Sequence, residues 1–407
     1  MRQDLDRLMR ERGLAGLVVL AYDRISPAMY YVTGQQIHYG VYFRSADGRA
    51  YLIHDPMERD SAALVGCDHA GFPQHRLPQL FEEEGTYAKA FGRIIGETTE
   101  TLGIKGPIGL FGDMSGGFAV ALVERMRQVN PALVVKDDYP DLLSTARLTK
   151  SDDEVEAIRA ASRGAVAGME RVRKFLSELK PDGNGFRHNG SGRITLGDLR
   201  RLLHRTFLDS GVAEDGASIV AQGRDAGVPH NHGNDSDELR AGTPILIDIF
   251  PGVGSGGYHS DMTRTFCVGK APQPLKSLYD DVRRAFDSAM GSLKAGELCR
   301  DYQERTCDIF EKAGHPTLRS HPGTEEGYCH GLGHGVGLAV HEPPRLGGPP
   351  SNKARLEPRM VITVEPGLYY PSRGLGVRIE DLVYVRPDGS MENLTPASYE
   401  LEVMPRG

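Results

Sequence analysis

The sequence predicts an α/β domain followed by a larger α+β domain. In the first half, short apolar runs alternate with amphipathic stretches, as strands and helices do in a layered domain. In the second half, strand-like runs carry acidic residues and histidines. At 407 residues the chain is long enough for two domains. We expect the boundary near residue 148, which gives domains of 1–148 and 149–407.

Four apolar runs in the first half are predicted strands, and two amphipathic stretches are predicted helices. Their alternation favours a partly parallel sheet, because parallel neighbours need a crossover connection between them. The strands are 14–20, 50–54, 107–111 and 132–136, and the helices are 84–102 and 117–129.

The second half begins with a helix start signal. Ser151 and Glu154 form a capping-box signature, which predicts a helix to about Lys180. Segment 181–192 is rich in glycine and asparagine and is a predicted surface loop. The runs that follow favour an antiparallel sheet with polar groups on its concave face. They are 243–250, 262–268, 360–365 and 376–385, with helices at about 196–210, 274–294 and 301–313.

Composition argues against several classes of protein. A net charge of −7 (48 Lys+Arg, 55 Asp+Glu) disfavours nucleic acid as the main partner. No stretch approaches the ~18–20 consecutive apolar residues of a membrane span. Five cysteines show no CxxC pair, which suits a reducing compartment. The charged N-terminal segment lacks the apolar core of a signal peptide, so we expect a cytoplasmic protein.

Four acidic residues lie inside or at the head of strand patterns. Carboxylates are rare in buried strands unless they are paired or bind a metal. A sheet-end position facing water explains one such residue better than four near a histidine cluster. Two divalent cations neutralise four carboxylates, whereas one cation leaves an expensive negative charge. The four residues are Asp248, Asp261, Glu365 and Glu380.

Such a ligand set predicts a particular chemistry. Oxygen-dominated ligation with one imidazole and no thiolate favours Mn²⁺, Co²⁺ or Zn²⁺. Two such ions can hold a bridging hydroxide at neutral pH and clamp a tetrahedral intermediate. The sequence therefore indicates metal-assisted hydrolysis.

The segment HGLGHGVGLAVHE (330–342) contains three histidines and four glycines. His330 and His334 have the spacing of zinc ligands on a helix, but the glutamate of an HExxH motif is absent. The glycines oppose a helix and favour an extended or looped segment close to a ligand. After His341, the sequence EPP (342–344) is expected to end any regular element.

Two arginines and one loop histidine complete the candidate set. Arg378 lies two residues before Glu380 on a predicted strand, so it could orient that carboxylate or form a structural ion pair. Arg345 is a candidate for holding a substrate carboxylate, and an exposed charge is the alternative. Either His230 or His232 could reach the same site from a loop.

This series of acidic residues and histidines resembles that of the M24 metallopeptidases of the pita-bread fold. The resemblance is strongest to their Xaa-Pro peptidases, prolidase and aminopeptidase P. The resemblance covers about 150–407, and the first half resembles the creatinase-type N-terminal α/β domain of these enzymes, most clearly at YYVTG (30–34). It implies a dinuclear metal site whose ligands stand in the family's order in the motifs ILIDIF, GYHSDMTRTF, GLGHGVGL, TVEPGLY and VRIED: Asp248, Asp261, His334, Glu365 and Glu380.

The resemblance also implies a role for each residue. Asp248 would chelate one ion, Asp261 and Glu380 would bridge both, and His334 would be the sole histidine ligand. Glu365 would also act as general acid/base for the bridging water. The catalytic set would be completed by His330, by His341, which would stabilise the intermediate or contact the scissile carbonyl, and by His230, which would bind substrate and handle the leaving nitrogen.

This chain departs from the family pattern at three points. Phe250 stands where the family usually has glycine, and Asn231 replaces the common tyrosine after His230. The hairpin between Asp248 and Asp261 is two residues longer than usual. No predicted ligand is lost.

The expected function is hydrolysis of the Xaa-Pro bond by a metal-bridging hydroxide, with Mn²⁺ favoured over Co²⁺ or Zn²⁺. HEPPR (341–345) matches the H-E-x-P-R of the shorter prolidases, whose arginine binds the free proline carboxylate. Arg345 is thus the predicted anchor for that carboxylate, and a proline-containing dipeptide is the favoured substrate. Arg378 is the second predicted substrate-binding arginine. Aminopeptidase P, which accepts longer peptides, is the alternative; a non-catalytic pita-bread binding protein is a distant one. The family tends to homodimers.

Overall fold

The computed structural model describes residues 3–24, 26–137, 139–190, 192–214, 218–254 and 257–405. The chain divides into two compact units, Met1–Arg147 and Leu148–Gly407. None of the helices in these described ranges combines the length and apolar composition that a membrane span requires.

The first unit is built on a six-stranded mixed sheet, as the predicted partly parallel sheet requires. The strands are β1 (Gly16–Tyr22), β2 (Tyr39–Ser45), β3 (Ala50–His54), β4 (Asp68–Gly71), β5 (Gly106–Phe111) and β6 (Leu133–Val135). Their order in the sheet is β4-β3-β2-β1-β5-β6, with parallel pairs β1–β5, β3–β4 and β5–β6. The helices are α1 (Gln3–Glu11), α2 (Pro27–Thr33), α3 (Arg59–Ala63), α4 (Leu77–Glu84), α5 (Tyr87–Thr101), α6 (Gly116–Val129) and α7 (Leu142–Ala146).

One predicted helix of this unit starts too early. The segment 84–102 begins in one helix and continues in another, because α4 ends at Glu84 and α5 begins at Tyr87. Gly85 between them has a left-handed backbone (φ 74°) that terminates α4, and the Thr86 side chain caps α5.

The second unit contains four α-helices and thirteen strands in the described ranges. The strands are β7 (Lys180–Asp182), β8 (Gly185–Arg187), β9 (Ile219–Gln222), β10 (Pro244–Ile249), β11 (Met262–Val268), β12 (Gly333–Gly335), β13 (Glu342–Leu346), β14 (Val361–Val364), β15 (Gly367–Tyr370), β16 (Leu375–Arg378), β17 (Asp381–Val385), β18 (Met391–Asn393) and β19 (Glu402–Val403). A four-stranded sheet has the order β19-β11-β10-β9, and a five-stranded sheet has the order β13-β12-β14-β17-β18; β7–β8 and β15–β16 are hairpins. The helices are α8 (Asp152–Ser177), α9 (Leu196–Asp209), α10 (Gln273–Ser292) and α11 (Cys299–Lys312).

The predicted single strand 376–385 is wrong. β16 ends at Arg378 and pairs with β15, whereas β17 begins at Asp381 and pairs with β14 and β18. Glu380 lies at the break, where its backbone N–H donates to the Thr263 carbonyl (3.1 Å). The buried apolar pattern runs through the break, so periodicity could not reveal it. The acidic residues consequently lie at two sheets rather than on one concave face.

Two further predictions need correction. The sequence EPP (342–344) does not end the regular structure but lies in β13. β13 is an edge strand of its sheet, where a residue without an N–H costs no ladder hydrogen bond. The predicted loop 181–192 includes most of the β7–β8 hairpin, which turns at Gly183 with φ of 60°.

The strand β10 shows how the core orients the acidic residues. Ile245, Ile247 and Ile249 are buried in the core that includes residues of α8 and α9. Because side chains alternate along a strand, Asp248 lies on the opposite face. The predicted capping box at Ser151 and Glu154 begins α8, which anchors that core.

Candidate active site

One cavity of about 960 Å³ in the second unit brings the predicted site residues together. It is lined by residues from both larger sheets of the unit and by the loop after β9. All ten predicted site residues line it: His230, Asp248, Asp261, His330, His334, His341, Arg345, Glu365, Arg378 and Glu380. His232 and Phe250 also line it.

Three of the predicted ligands form a buried cluster. One ligand atom from each of Asp261, His334 and Glu380 lies within 4.8 Å of the others. All three residues are at most 5% exposed. Glu365 joins the cluster, because its Oε1 lies 3.3 Å from His334 Nε2.

The His334 imidazole is oriented with Nε2 toward the carboxylates. Its Nδ1 lies 3.1 Å from the Gly335 carbonyl, which can only accept, so Nδ1 carries the proton. Nε2 is then an unprotonated lone pair facing Asp261 Oδ2 (3.8 Å) and Glu365. A metal-binding histidine needs this tautomer, with its second nitrogen held by a carbonyl.

Arg378 ties the fifth predicted ligand to this cluster. Its Nη2 donates to Asp248 Oδ2 (2.5 Å), and its Nε donates to Thr263 Oγ1 (3.1 Å). Thr263 Oγ1 in turn donates to Glu380 Oε2 (2.7 Å). Arg378 is 3% exposed, so the side chain both forms an ion pair and orients predicted ligand carboxylates.

Both ring nitrogens of His330 are held by protein groups. Nδ1 donates to the Gly331 carbonyl (2.7 Å), so Nε2 accepts from the Tyr369 hydroxyl (2.8 Å). That hydroxyl accepts from Arg378 Nη1 (2.8 Å). Burial lowers the pKa of His330, which favours this neutral form.

His341 and Arg345 lie at the cavity surface beside His334. The His341 ring makes an edge contact with the His334 ring, with centroids 4.5 Å apart. Burial lowers the pKa of His341, and the positive charge of Arg345 lowers it further. Arg345 is exposed and is the β-register partner of His334. His341 and Arg345 therefore face the same space.

Both loop histidines, His230 and His232, line the cavity. The backbone carbonyl of His232 accepts a hydrogen bond from Arg200. In the longer hairpin between the predicted aspartate ligands, residues 255–256 lie outside the described residues.

The cluster carries more negative charge than a buried site holds without counter-ions. Burial raises the pKa of Asp261 well above its ordinary value, and Glu380 and Asp248 raise it further. Burial likewise raises the pKa of Glu380, followed by the charges of Glu365 and Asp248.

These residues fit divalent cations. Asp248 Oδ1 is buried and, within the described part of the chain, has no hydrogen-bond partner. A buried carboxylate oxygen without a donor is costly, and a cation removes that cost. Together with the His334 lone pair and the raised carboxylate pKa values, the donor set is nitrogen and oxygen without sulfur, which suits borderline or hard ions.

Sequence reasoning missed two residues of this network, Thr263 and Tyr369. Thr263 is two residues after Asp261, so strand alternation alone could have placed both on one face. Tyr369 lies four residues after Glu365 and is fully buried, and its contact with His330 depends on the β15–β16 hairpin. Nothing in the local sequence distinguishes its hydroxyl from that of Tyr370.

Comparison with known proteins gives one matching family and several full-length structural likenesses. Residues 156–387 match the model of metallopeptidase family M24. An Xaa-Pro dipeptidase of Pyrococcus horikoshii is 27% identical over 376 residues, covering 92% of each chain. A probable dipeptidase, PepE, of Mycobacterium tuberculosis is 31% identical over 265 residues, which are 65% of this chain and only 63% of that protein.

Solved structures resemble the whole chain. A dipeptidase from Pyrococcus horikoshii OT3 has a TM-score of 0.77 at 26% identity, covering 99% of this chain and 100% of that one. An Xaa-Pro dipeptidase from Bacillus anthracis has a TM-score of 0.77 at 25% identity, covering 99% of each chain. The predicted fold class is confirmed by these likenesses.

Proposed function

Because this chain belongs to metallopeptidase family M24, we propose that it hydrolyses the Xaa-Pro bond as a dinuclear metal-dependent dipeptidase. The observation that carries the proposal is the buried Asp261–His334–Glu380 cluster in a cavity that also contains Arg345. The relatives named Xaa-Pro dipeptidase support the type of bond that is hydrolysed.

The second part of the proposal is the domain division, with 1–148 as the creatinase-type domain and 149–407 as the catalytic domain.

Five residues would hold two divalent cations, and Mn²⁺ is the favoured ion. The five residues are Asp248, Asp261, His334, Glu365 and Glu380. When bound, the cations would supply a water whose pKa is near neutral and positive charge for the developing oxyanion.

Glu365 is the proposed proton acceptor for the attacking water. Its Oε1 faces His334 Nε2, and its Oε2 lies 3.9 Å from His330 Nδ1. As an ionised carboxylate it offers an oxygen lone pair to the proton of the attacking water. His330, which is hydrogen-bonded to the Tyr369 hydroxyl, lines the cavity beside Glu365.

His341 and His230 are proposed to act on the scissile bond. Neutral His341, beside His334, would donate a hydrogen bond to the oxygen of the scissile carbonyl as its negative charge develops. An Xaa-Pro bond is a tertiary amide, so its nitrogen must gain a proton to leave as proline. His230, which lines the same cavity as His330 and His341, would deliver that proton.

The test of the proposed function is turnover of Ala-Pro by the Mn²⁺-supplemented protein. We expect release of proline that stops on chelation and returns when Mn²⁺ is restored. Turnover that survives exhaustive chelation contradicts the metal requirement. A chain that binds Mn²⁺ but hydrolyses neither Ala-Pro nor Ala-Pro-Ala would be a binding protein instead.

Arg345 is expected to separate a dipeptidase from an aminopeptidase. Its guanidinium has no hydrogen-bond acceptor among the described residues, so it is available for the carboxylate of a substrate's proline. Arg345→Ala should lower kcat/KM for Ala-Pro by about 10- to 100-fold, mainly through KM, from the loss of a charge-assisted hydrogen bond.

The control substrate for Arg345→Ala is Ala-prolinamide, which lacks the carboxylate. The wild type and Arg345→Ala should hydrolyse it at equal rates. An equal loss on both substrates would mean that Arg345 does not bind the carboxylate. Rapid cleavage of Ala-Pro-Ala, insensitive to Arg345→Ala, would identify an aminopeptidase.

Cation binding should stabilise the protein more at pH 7 than at pH 5. The pKa values of Asp261 and Glu380 are raised in the metal-free fold, so their contribution to stability falls as pH rises above about 4, the ordinary carboxyl pKa. Mn²⁺ offsets this repulsion and competes with fewer protons at pH 7. Thermal melts of chelated protein with and without Mn²⁺ measure the difference.

Asp261→Asn serves as the comparison for these melts. It removes one buried like charge, so the metal-free variant should melt higher than the metal-free wild type at pH 7 while losing most of the Mn²⁺-induced gain. A gain from Mn²⁺ that is equal in wild type and Asp261→Asn would place the cation elsewhere.

A further inference from the structure

A buried ion pair lies outside the set of residues that line the cavity. Lys150 Nζ is 3.3 Å from Glu342 Oε2, and the two side chains are 2% and 4% exposed. Neither residue belongs to the described residues that line the cavity. A buried charge is retained at a cost, and removing one partner leaves the other uncompensated. Each of the two buried charges therefore depends on the other.

The Glu342 carboxylate holds the turn that joins β12 to β13. Its Oε1 accepts a hydrogen bond from the Ala339 N–H (3.0 Å). At Gly337 a Cβ atom would lie 2.5 Å from Glu342 Oε2, so the carboxylate fills the space that the glycine leaves. The Gly337 carbonyl also accepts from the His259 N–H (2.9 Å), two residues before Asp261.

His341 belongs to this same turn. It immediately precedes Glu342, and the two side chains diverge: His341 lines the cavity against His334, whereas Glu342 reaches Lys150. A displacement of Glu342 would therefore move the His341 backbone by a similar amount. The tight space at Gly337 leaves the turn few alternative conformations.

Lys150 is itself firmly held at the start of α8. Its N–H donates to the Arg359 carbonyl (2.8 Å), and Arg359 Nη1 donates back to the Lys150 carbonyl (3.3 Å) and to Asp152 Oδ1 (2.7 Å). The next residue, Ser151, caps the 26-residue helix. The ammonium group is thus supported by a long packed element rather than by a flexible loop.

We propose that Lys150 is a positioning residue that acts through Glu342 to hold His341 against His334 at the site of bond cleavage. The ammonium neutralises the buried carboxylate, and the carboxylate fixes the turn that carries His341. This inference rests on the proposed function for the role of His341.

A double-mutant cycle tests the inference. In the wild-type background, Lys150→Met should lower kcat for Ala-Pro about tenfold and change KM less than about twofold, because ground-state binding does not depend on His341 alignment. In a His341→Ala background the same substitution should change kcat less than about twofold, since the residue through which it acts is gone. Lys353→Met, an exposed lysine, is the matched control and should leave kcat unchanged.

Two outcomes of these kinetic measurements would contradict the inference. An equal loss of kcat in both backgrounds would show that Lys150 supports the whole site rather than His341. An unchanged kcat in Lys150→Met would also overturn the inference. Should Lys150→Met fail to fold, Glu342→Gln, which retains an oxygen for the Ala339 N–H, replaces it in the cycle with the same expectations.

Hydrogen exchange gives a readout that does not depend on turnover. In Lys150→Met, amides of 336–342 should exchange faster than in the wild type, while those of α10 should not change. Unaltered exchange in 336–342 would overturn the positioning role. Wild-type protein that turns over no Xaa-Pro substrate would refute the proposed function alone, since exchange still reports whether Lys150 holds the turn.

Discussion

Glu365→Gln should lower kcat for Ala-Pro by about 10²- to 10⁴-fold, the range expected when a general base is lost. The glutamine has nearly the same shape, so it should fit the space that Glu365 occupies beside His334. It cannot accept a proton, however, and it removes one negative charge from the ligand set. Steady-state kinetics at saturating Mn²⁺ measures the loss.

The control is Glu325→Gln, which makes the same chemical change at an exposed position and should leave kcat within about twofold. Metal content of the purified variants separates the two roles of Glu365. Two ions per chain with low kcat would indicate loss of the base, whereas fewer ions would indicate loss of a ligand. A Glu365→Gln protein with wild-type kcat would remove Glu365 from the mechanism.

Arg264→Met should lower the free energy of unfolding of the second unit by about 3–5 kcal/mol, the cost of breaking a buried ion pair. Arg264 and Asp381 are 1% and 0% exposed, with Nη2 and Oδ1 2.7 Å apart. Nη1 also donates to the Glu380 carbonyl (2.7 Å) and to the Thr263 carbonyl (2.9 Å). The guanidinium therefore links β11 to Glu380, which lies between β16 and β17.

Arg283→Met is the matched control for this measurement. Both guanidinium groups lie over the Tyr399 ring, at 4.4 Å for Arg264 and 4.1 Å for Arg283. Arg283 is 34% exposed and pairs with Asp287 in the next helical turn, so its loss should cost about 1 kcal/mol or less. Urea unfolding, followed by a probe in the second unit, compares the two. Equal destabilisation would mean that stacking on Tyr399 outweighs the buried ion pair.

The predictions that succeeded from the sequence depend on short-range chemistry. The capping box at Ser151 and Glu154 is complete within four residues, and the strand at 262–268 is recovered to the residue. Asp248 alternates with buried isoleucines, so its orientation follows from the strand period alone. The resemblance to a family added the ligand order, because residue types and motifs survive where overall identity is low.

The predictions that failed depend on partners distant in the chain. The prolines of 342–344 are compatible with a strand only because β13 is an edge, and edge status is a property of the sheet rather than of the segment. The break at Glu380 exists because β16 and β17 pair with different strands. A continuous apolar pattern cannot report such a change of partner.

By itself, the sequence determined the residue types of the site, the capped start of α8 and the face of β10 that meets the core, because these follow from local geometry and side-chain chemistry. Only the tertiary structure decided that Tyr369 bonds His330, that Thr263 bridges Arg378 and Glu380, and that Lys150 neutralises Glu342. Lys150 and Glu342 are separated by 192 positions, and their pairing arises where α8 begins beside β13. Burial makes such long-range polar contacts obligatory, but which groups meet is set by how the sheets pack.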